Sequence, residues 1–141
     1  TRLFTYIGFG FSLEELFLRL DPDEEALAVL PGLALDVQIM TGTASHRLRF
    51  TLTAPGPDTF ILYSAQPDQP FTEAGRYGSI CRSKVIELAV PFKELHLQAG
   101  QEFRMSLAAT HDGFEIERYP RHHPLALTVP DRDFEAMMWK V

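Results

Sequence analysis

The sequence predicts an all-β protein built as an antiparallel β-sandwich. Three observations carry this. Apolar and polar residues alternate with a period of two in most segments. Turn-forming clusters such as Asp21-Pro22-Asp23, Ala54-Pro55-Gly56-Pro57-Asp58 and Asp112-Gly113 cut the chain into short pieces. No strand–helix–strand rhythm appears, which argues against a doubly wound sheet. About nine to ten strands fit this spacing, as in immunoglobulin-like or jelly-roll sandwiches.

The elements follow in order. Leu3, Ile7, Phe9 and Phe11 share one face of the first strand. Gly8 and Gly10 lie on the other, where a missing side chain lets a ring or another backbone approach. Ser12-Leu13-Glu14 joins it to a second strand, in which Leu16, Leu18 and Leu20 alternate with Phe17 and Arg19. Residues 22–32 fit either a short helical turn or a loop. Leu33, Leu35, Val37 and Ile39 alternate next, and Leu48, Phe50 and Leu52 then alternate with Arg47, Arg49 and Thr51, giving a strand with one wet face. Phe60 to Ala65 reads as a strand. Residues 66–77, with two prolines, read as the longest loop, where binding residues tend to sit. Lys84 to Pro91 is a strand, and Phe92 to Leu97 a single helical turn. Two strands flank Asp112-Gly113, which suits a type I′ turn, and Leu125, Leu127 and Val129 mark the last strand.

Composition narrows the function classes. One hundred and forty-one residues make one domain, 1–141, large enough to bury a core. The 45% hydrophobic content and eleven phenylalanines suit a globular β domain. A net charge of −6 argues against nucleic acid as a partner. Cys81 stands alone, so no internal disulfide forms. No apolar run approaches the ~20 residues of a membrane helix. The chain opens on Thr1 and is strand-like within two residues, which leads us to expect a domain cut from a longer protein.

Several constellations fall short of chemistry. His96, His111, His122 and His123 match no common zinc spacing, and adjacent histidines on an extended chain point to opposite faces. Asp21, Asp23, Glu24 and Glu25, and separately Asp131 and Asp133, offer oxygen ligands without the spacing of an EF-hand. Asp21 and Asp23 are kept as weak calcium candidates; solvated turn acids are the simpler reading, and no other cofactor is expected. Cys81 has no base beside it in sequence and reads as a buried strand residue. Glu115 and Glu117 fall on one strand face two residues apart, which is not the two-sided pair a glycosidase needs.

A family resemblance sharpens this. Tyr6-Ile7-Gly8-Phe9 followed by Leu16-Phe17-Leu18-Arg19-Leu20-Asp21 resembles the opening hairpin of family 9 carbohydrate-binding modules and DOMON domains. Val85 to Phe92, with Leu95 and Leu97-Gln98-Ala99-Gly100, is similar to a later segment of the same domains. The ending, Glu115 to Pro120, then Val129 to Glu135 and Trp139, resembles the C-terminal non-catalytic domain of bacterial family 57 glycoside hydrolases. The resemblance implies a non-enzymatic accessory sandwich whose partners are a parent catalytic barrel and an α-glucan. The catalytic residues of such enzymes lie in the barrel, so none carries over. Family 9 modules clamp sugar between two tryptophans, and this chain has one.

On that reading the ring candidates are Tyr77, expected to be exposed in the long loop, Trp139 and Tyr63. Asp68 and Glu73 are the candidate hydroxyl acceptors. Trp139, after two methionines, also reads as a plug closing one end of the sandwich. Two alternatives stand beside the sugar module. One is a purely structural domain that stabilises its barrel. The other is a DOMON-like haem or sugar sensor, for which Met40, Met105, His96 and His111 supply ligand types without a motif.

Overall fold

A computed structural model describes residues 3–28, 32–52, 59–82 and 85–131. Among these, eleven strands are formed: β1 (Phe4–Phe11), β2 (Glu15–Pro22), β3 (Ala34–Met40), β4 (Ser45–Thr51), β5 (Phe60–Ala65), β6 (Thr72–Tyr77), β7 (Ile80–Arg82), β8 (Ile86–Pro91), β9 (Glu102–His111), β10 (Phe114–Tyr119) and β11 (Leu125–Thr128). They make two antiparallel sheets packed face to face, as the alternation predicts. The smaller sheet, sheet A, has the order β1-β2-β8-β7. The larger, sheet B, has the order β10-β9-β3-β4-β5-β6, with β11 also on β9.

The core lies between them. Leu16, Leu18, Leu20, Ile86, Leu88 and Val90 point inward from sheet A, and Leu35, Val37, Ile39, Leu48, Phe60, Leu62, Phe103 and Leu107 meet them from sheet B. Each such side chain, fully buried, stabilises the fold by roughly 1.5–3 kcal/mol. Phe11, Phe92 and Phe103 interlock at ring separations of 6.1 to 6.5 Å, tilted or edge-on.

Local chemistry sets the ends. The segment between β2 and β3 holds a short helix, α1 (Glu24–Ala28), which resolves the choice between helix and loop. Asp23 caps it, its Oδ1 accepting from the amides of Glu25 at 3.1 Å and Ala26 at 3.2 Å. At the β9–β10 hairpin, Asp112 (φ 51°) and Gly113 (φ 83°) are both left-handed, the backbone a type I′ turn requires. The turn after β8 is a 3-10 helix, Phe92–Leu95.

Two departures from the sequence reading bear on function. Residues 72–77 are not loop: they form β6, which pairs with β5 through a bulge and closes one edge of sheet B. The polar Thr72 and Glu73 and the bulge hid its alternation. Cys81 is not buried but exposed on β7, because its neighbour Ile80 takes the inner face and leaves Cys81 on the outer one, opposite Glu87.

One irregularity opens the sandwich. β9 pairs with β3 along one side, while its other side is shared by β10, over Leu107–His111, and β11, over Glu102–Met105. The chain leaves sheet B between them. At that level Phe9 faces inward, in register with the buried Leu18, yet is 44% exposed.

Candidate functional site

The outer face of sheet A carries an open concave surface. With Ile7, Phe9 and Phe11 turned inward, β1 presents Tyr6, Gly8 and Gly10 outward. β2 adds Phe17 and Arg19, and β8 adds Glu87 and Ala89. Together they line a groove of about 590 Å³, with Ser79 and Cys81 along its β7 side.

Its floor is made by small residues and its walls by rings. A Cβ built on Gly8 would fall 2.6 Å from Tyr6 Cε1, so the phenol ring lies down across Gly8. Glycine in a strand interior costs roughly 0.5–1 kcal/mol relative to alanine. Here it leaves the room the phenol occupies, and Tyr6 remains 54% exposed. Phe17, also exposed, stands in register with Gly10 on the neighbouring strand.

Charge borders the rings. Arg19 Nε donates to Asp21 Oδ1 at 3.1 Å, and this bond and charge, with smaller contributions from Glu87 and the Tyr6 hydroxyl, hold its proton more firmly than usual. The groove therefore combines two apolar ring faces with a fixed cation and a carboxylate. That equips it to bind a flat ligand rich in hydroxyls. Among the described residues no group of three or more His, Cys, Asp or Glu could hold a metal ion.

The sequence-predicted candidates are scattered. Tyr77 is in β6 and points inward, stacked on Phe60 at 5.3 Å, with its hydroxyl donating to Glu94 Oε2 at 2.9 Å. Burial, then Glu94, pushes its phenol above the ordinary range. Its ring is a wall of the core and not the exposed loop ring expected. Tyr63 lies on the opposite, outer face of sheet B, with the Arg49 guanidinium 5.8 Å from its ring centre, and is in register with Glu73. Glu73 forms an ion pair with Arg76 at 3.5 Å. Asp68 is exposed in the β5–β6 turn with φ 60°. Trp139 and Asp133 lie outside the described residues. Only Tyr63 and Glu73 are brought together.

Asp21 and Asp23 both have internal partners, Arg19 for the one and the amides of α1 for the other. Glu115 and Glu117 do not share a face as expected, because β10 carries a bulge between them. Glu115 takes the Arg118 guanidinium, and Glu117 accepts from the Tyr119 hydroxyl. Of the haem candidates, Met105 is buried, Met40 is on the outer face of sheet B, and His111 is 3.6 Å from Asp112 at the end of β9. His96 stands beside His46, their ring centres 6.5 Å apart.

His46 was not singled out by sequence. It faces inward from β4, almost wholly buried, with Nδ1 2.7 Å from Ser64 Oγ. Its Nε2 makes no well-formed hydrogen bond, although the Leu95 carbonyl exerts a small pull toward protonation. Burial first, and His96 second, push the imidazole below its ordinary range.

The outer face of sheet B is filled differently. Arg49 grips Asp36 bidentately at 2.7 and 2.9 Å, and Arg47 Nε is 3.9 Å from the same carboxylate. Arg47 also lies over the Phe71 ring at 4.3 Å. Farther along, Arg118 donates to Gln38 Oε1 and Ser106 Oγ, at 2.9 and 3.0 Å. These long side chains cover the face so fully that Asp36 is 3% exposed.

Comparison of the chain with protein-family models, with curated proteins and with solved structures finds no match.

Proposed function

We propose that this chain is a non-catalytic module that contacts carbohydrate through the outer face of sheet A, as an accessory part of an α-glucan-active glycoside hydrolase. The observation that carries the reading is the Tyr6 phenol reaching over Gly8 in a groove that Phe17, Arg19 and Glu87 also line. Pyranose rings present flat C–H faces that pack on aromatic rings, while their hydroxyls take hydrogen bonds from charged groups at the rim. A concave, largely apolar surface with a few convergent polar groups is the usual form of a small-molecule site. The resemblance of the Tyr6–Phe9 and Leu16–Asp21 segments to carbohydrate-binding sandwiches falls on two of the strands that build this groove. The proposed site therefore rests on Tyr6, Phe17, Arg19 and Glu87 in place of Tyr77, Tyr63, Asp68 and Glu73.

Calorimetric titration with maltoheptaose and soluble starch tests it, alongside Tyr6→Ala and Phe17→Ala. Binding that weakens in both variants supports the site. Binding unchanged in the pair would move the ligand elsewhere. Silence toward every glucan would assign the same exposed rings to packing against a catalytic domain, the structural reading.

A further inference from the structure

We infer that this chain pairs with a second copy of itself along the edge of β1 that faces away from β2, joining two four-stranded sheets A into one continuous sheet across a twofold axis.

The argument begins with the strand edges. An exposed edge is a row of unpaired backbone donors and acceptors, and proteins blunt such rows with charge, proline, bulges or shortness. The other outer strands of the described residues are blunted. β6 carries Glu73 and Arg76 and a bulge against β5. β7 is three residues long. β10 carries Glu115, Glu117 and Arg118 and its own bulge, and β11 is four residues long. β1 is the exception. Its eight residues, Phe-Thr-Tyr-Ile-Gly-Phe-Gly-Phe, include no charge and no proline, and its irregularity is confined to the Phe4–Tyr6 end. Among the described residues its one strand partner is β2.

A second observation points to the same side. A trough of about 620 Å³ runs between β1 and β10, walled by the consecutive residues Phe4–Ile7 of the one and Ile116–Tyr119 of the other. Runs of consecutive residues show that the walls are strand edges and not sheet faces. Exposed apolar side chains line the trough, Tyr6 from β1 and Ile116 from β10, and Phe9 and Phe114 of the same two strands are exposed as well. Exposed apolar patches of this kind mark interaction surfaces.

The sequence of β1 is complementary to itself. Antiparallel pairing about a twofold centred on Gly8 sets Ile7 against Phe9 of the partner subunit on the inner face, and Tyr6 against Gly10 of the partner subunit on the outer face. On the outer face large meets small, and on the inner face the half-exposed Phe9 gains a cross-strand neighbour. No like charges meet at the seam, although each chain carries a net −6. The same side-by-side arrangement brings the Phe114 and Ile116 sides of the two copies toward each other.

Sedimentation equilibrium over about 1–200 μM tests this, that range being where a weak symmetric dimer dissociates. The expected result is twice the 16.0 kDa chain mass at the upper end. Phe9→Lys and, separately, the exposed Thr5→Lys place a charge on the β1 edge and should raise the dissociation constant by about 100-fold or more. Circular dichroism checks that each variant keeps its β structure. If Phe9→Lys fails to fold, Thr5→Lys carries the test. A wild type that stays at 16.0 kDa throughout would overturn the proposal. So would folded lysine variants that dimerise as well as the wild type.

Discussion

The two outer faces of this sandwich start from the same alternating pattern and end in opposite states. On sheet B, Arg49 of β4 and Arg118 of β10 fold down onto Asp36, Gln38 and Ser106 and hydrogen-bond with them. On sheet A, glycines and an alanine leave room, rings lie on the backbone, and the groove keeps its apolar floor open. A face whose polar groups are already paired has little left to offer a ligand. The lesson is that side-chain length on the outward positions, more than their polarity, decides whether a sheet face is closed or available.

The largest expected effect separates stability from binding. Asp36→Ala should cost about 2 kcal/mol, because it removes the group on which Arg47 and Arg49 converge; the partial exposure of both arginines keeps the loss below that of a fully buried pair. Urea unfolding would show a lower midpoint, while glucan titration of the folded variant should match the wild type. Tyr6→Ala should do the reverse. Loss of its ring should weaken glucan affinity about 10-fold, or ~1.4 kcal/mol, with an unfolding midpoint close to that of wild type. If instead it melted the domain while Asp36→Ala abolished binding, the roles assigned to the two faces would have to be exchanged.

Smaller changes sharpen the contrast. Gly8→Ala puts a methyl group under the Tyr6 ring, which must lift. Glucan affinity should fall by a few-fold, less than in Tyr6→Ala, and the Tyr6 ring resonances in the NMR spectrum should shift. The interior supplies a control that moves both faces together. His46 is favoured neutral in the fold, so its contribution to stability is complete above its ordinary value of 6.5 and is lost as pH falls through its lowered folded value. Urea midpoints measured across that window should decline toward acid, and His46→Gln should flatten the slope even if it lowers stability at every pH.

Much of the architecture was legible because alternation and turn chemistry are local. The β1–β2 hairpin, the Arg47–Arg49 wet face and the Asp112-Gly113 turn all follow from neighbouring residues. β6 was missed because a bulge and polar side chains break its period. The site was harder. Tyr77 looked like a loop ring because nothing in sequence shows that Phe60 and Glu94 come to meet it. Conversely, the pairing of Tyr6 with Gly8 was hinted at by the two outward glycines, but Glu87 and Phe17 reach the same groove only through the β2–β8 ladder, whose register no local signal sets.

That ladder also dictates when the molecule can come into being. Leu18 pairs with Leu88 and Val37 with Leu107, so the central strand of each sheet waits for a partner seventy residues downstream. Contacts of such separation must close long loops before they contribute anything, which slows folding. During synthesis, a nascent chain that has not yet released residues 102–111 holds β3 with an open side and the β1–β2 hairpin without a core. Assembly therefore has to wait until residues 102–111 have left the ribosome, and the uncharged β1 spends that interval unguarded.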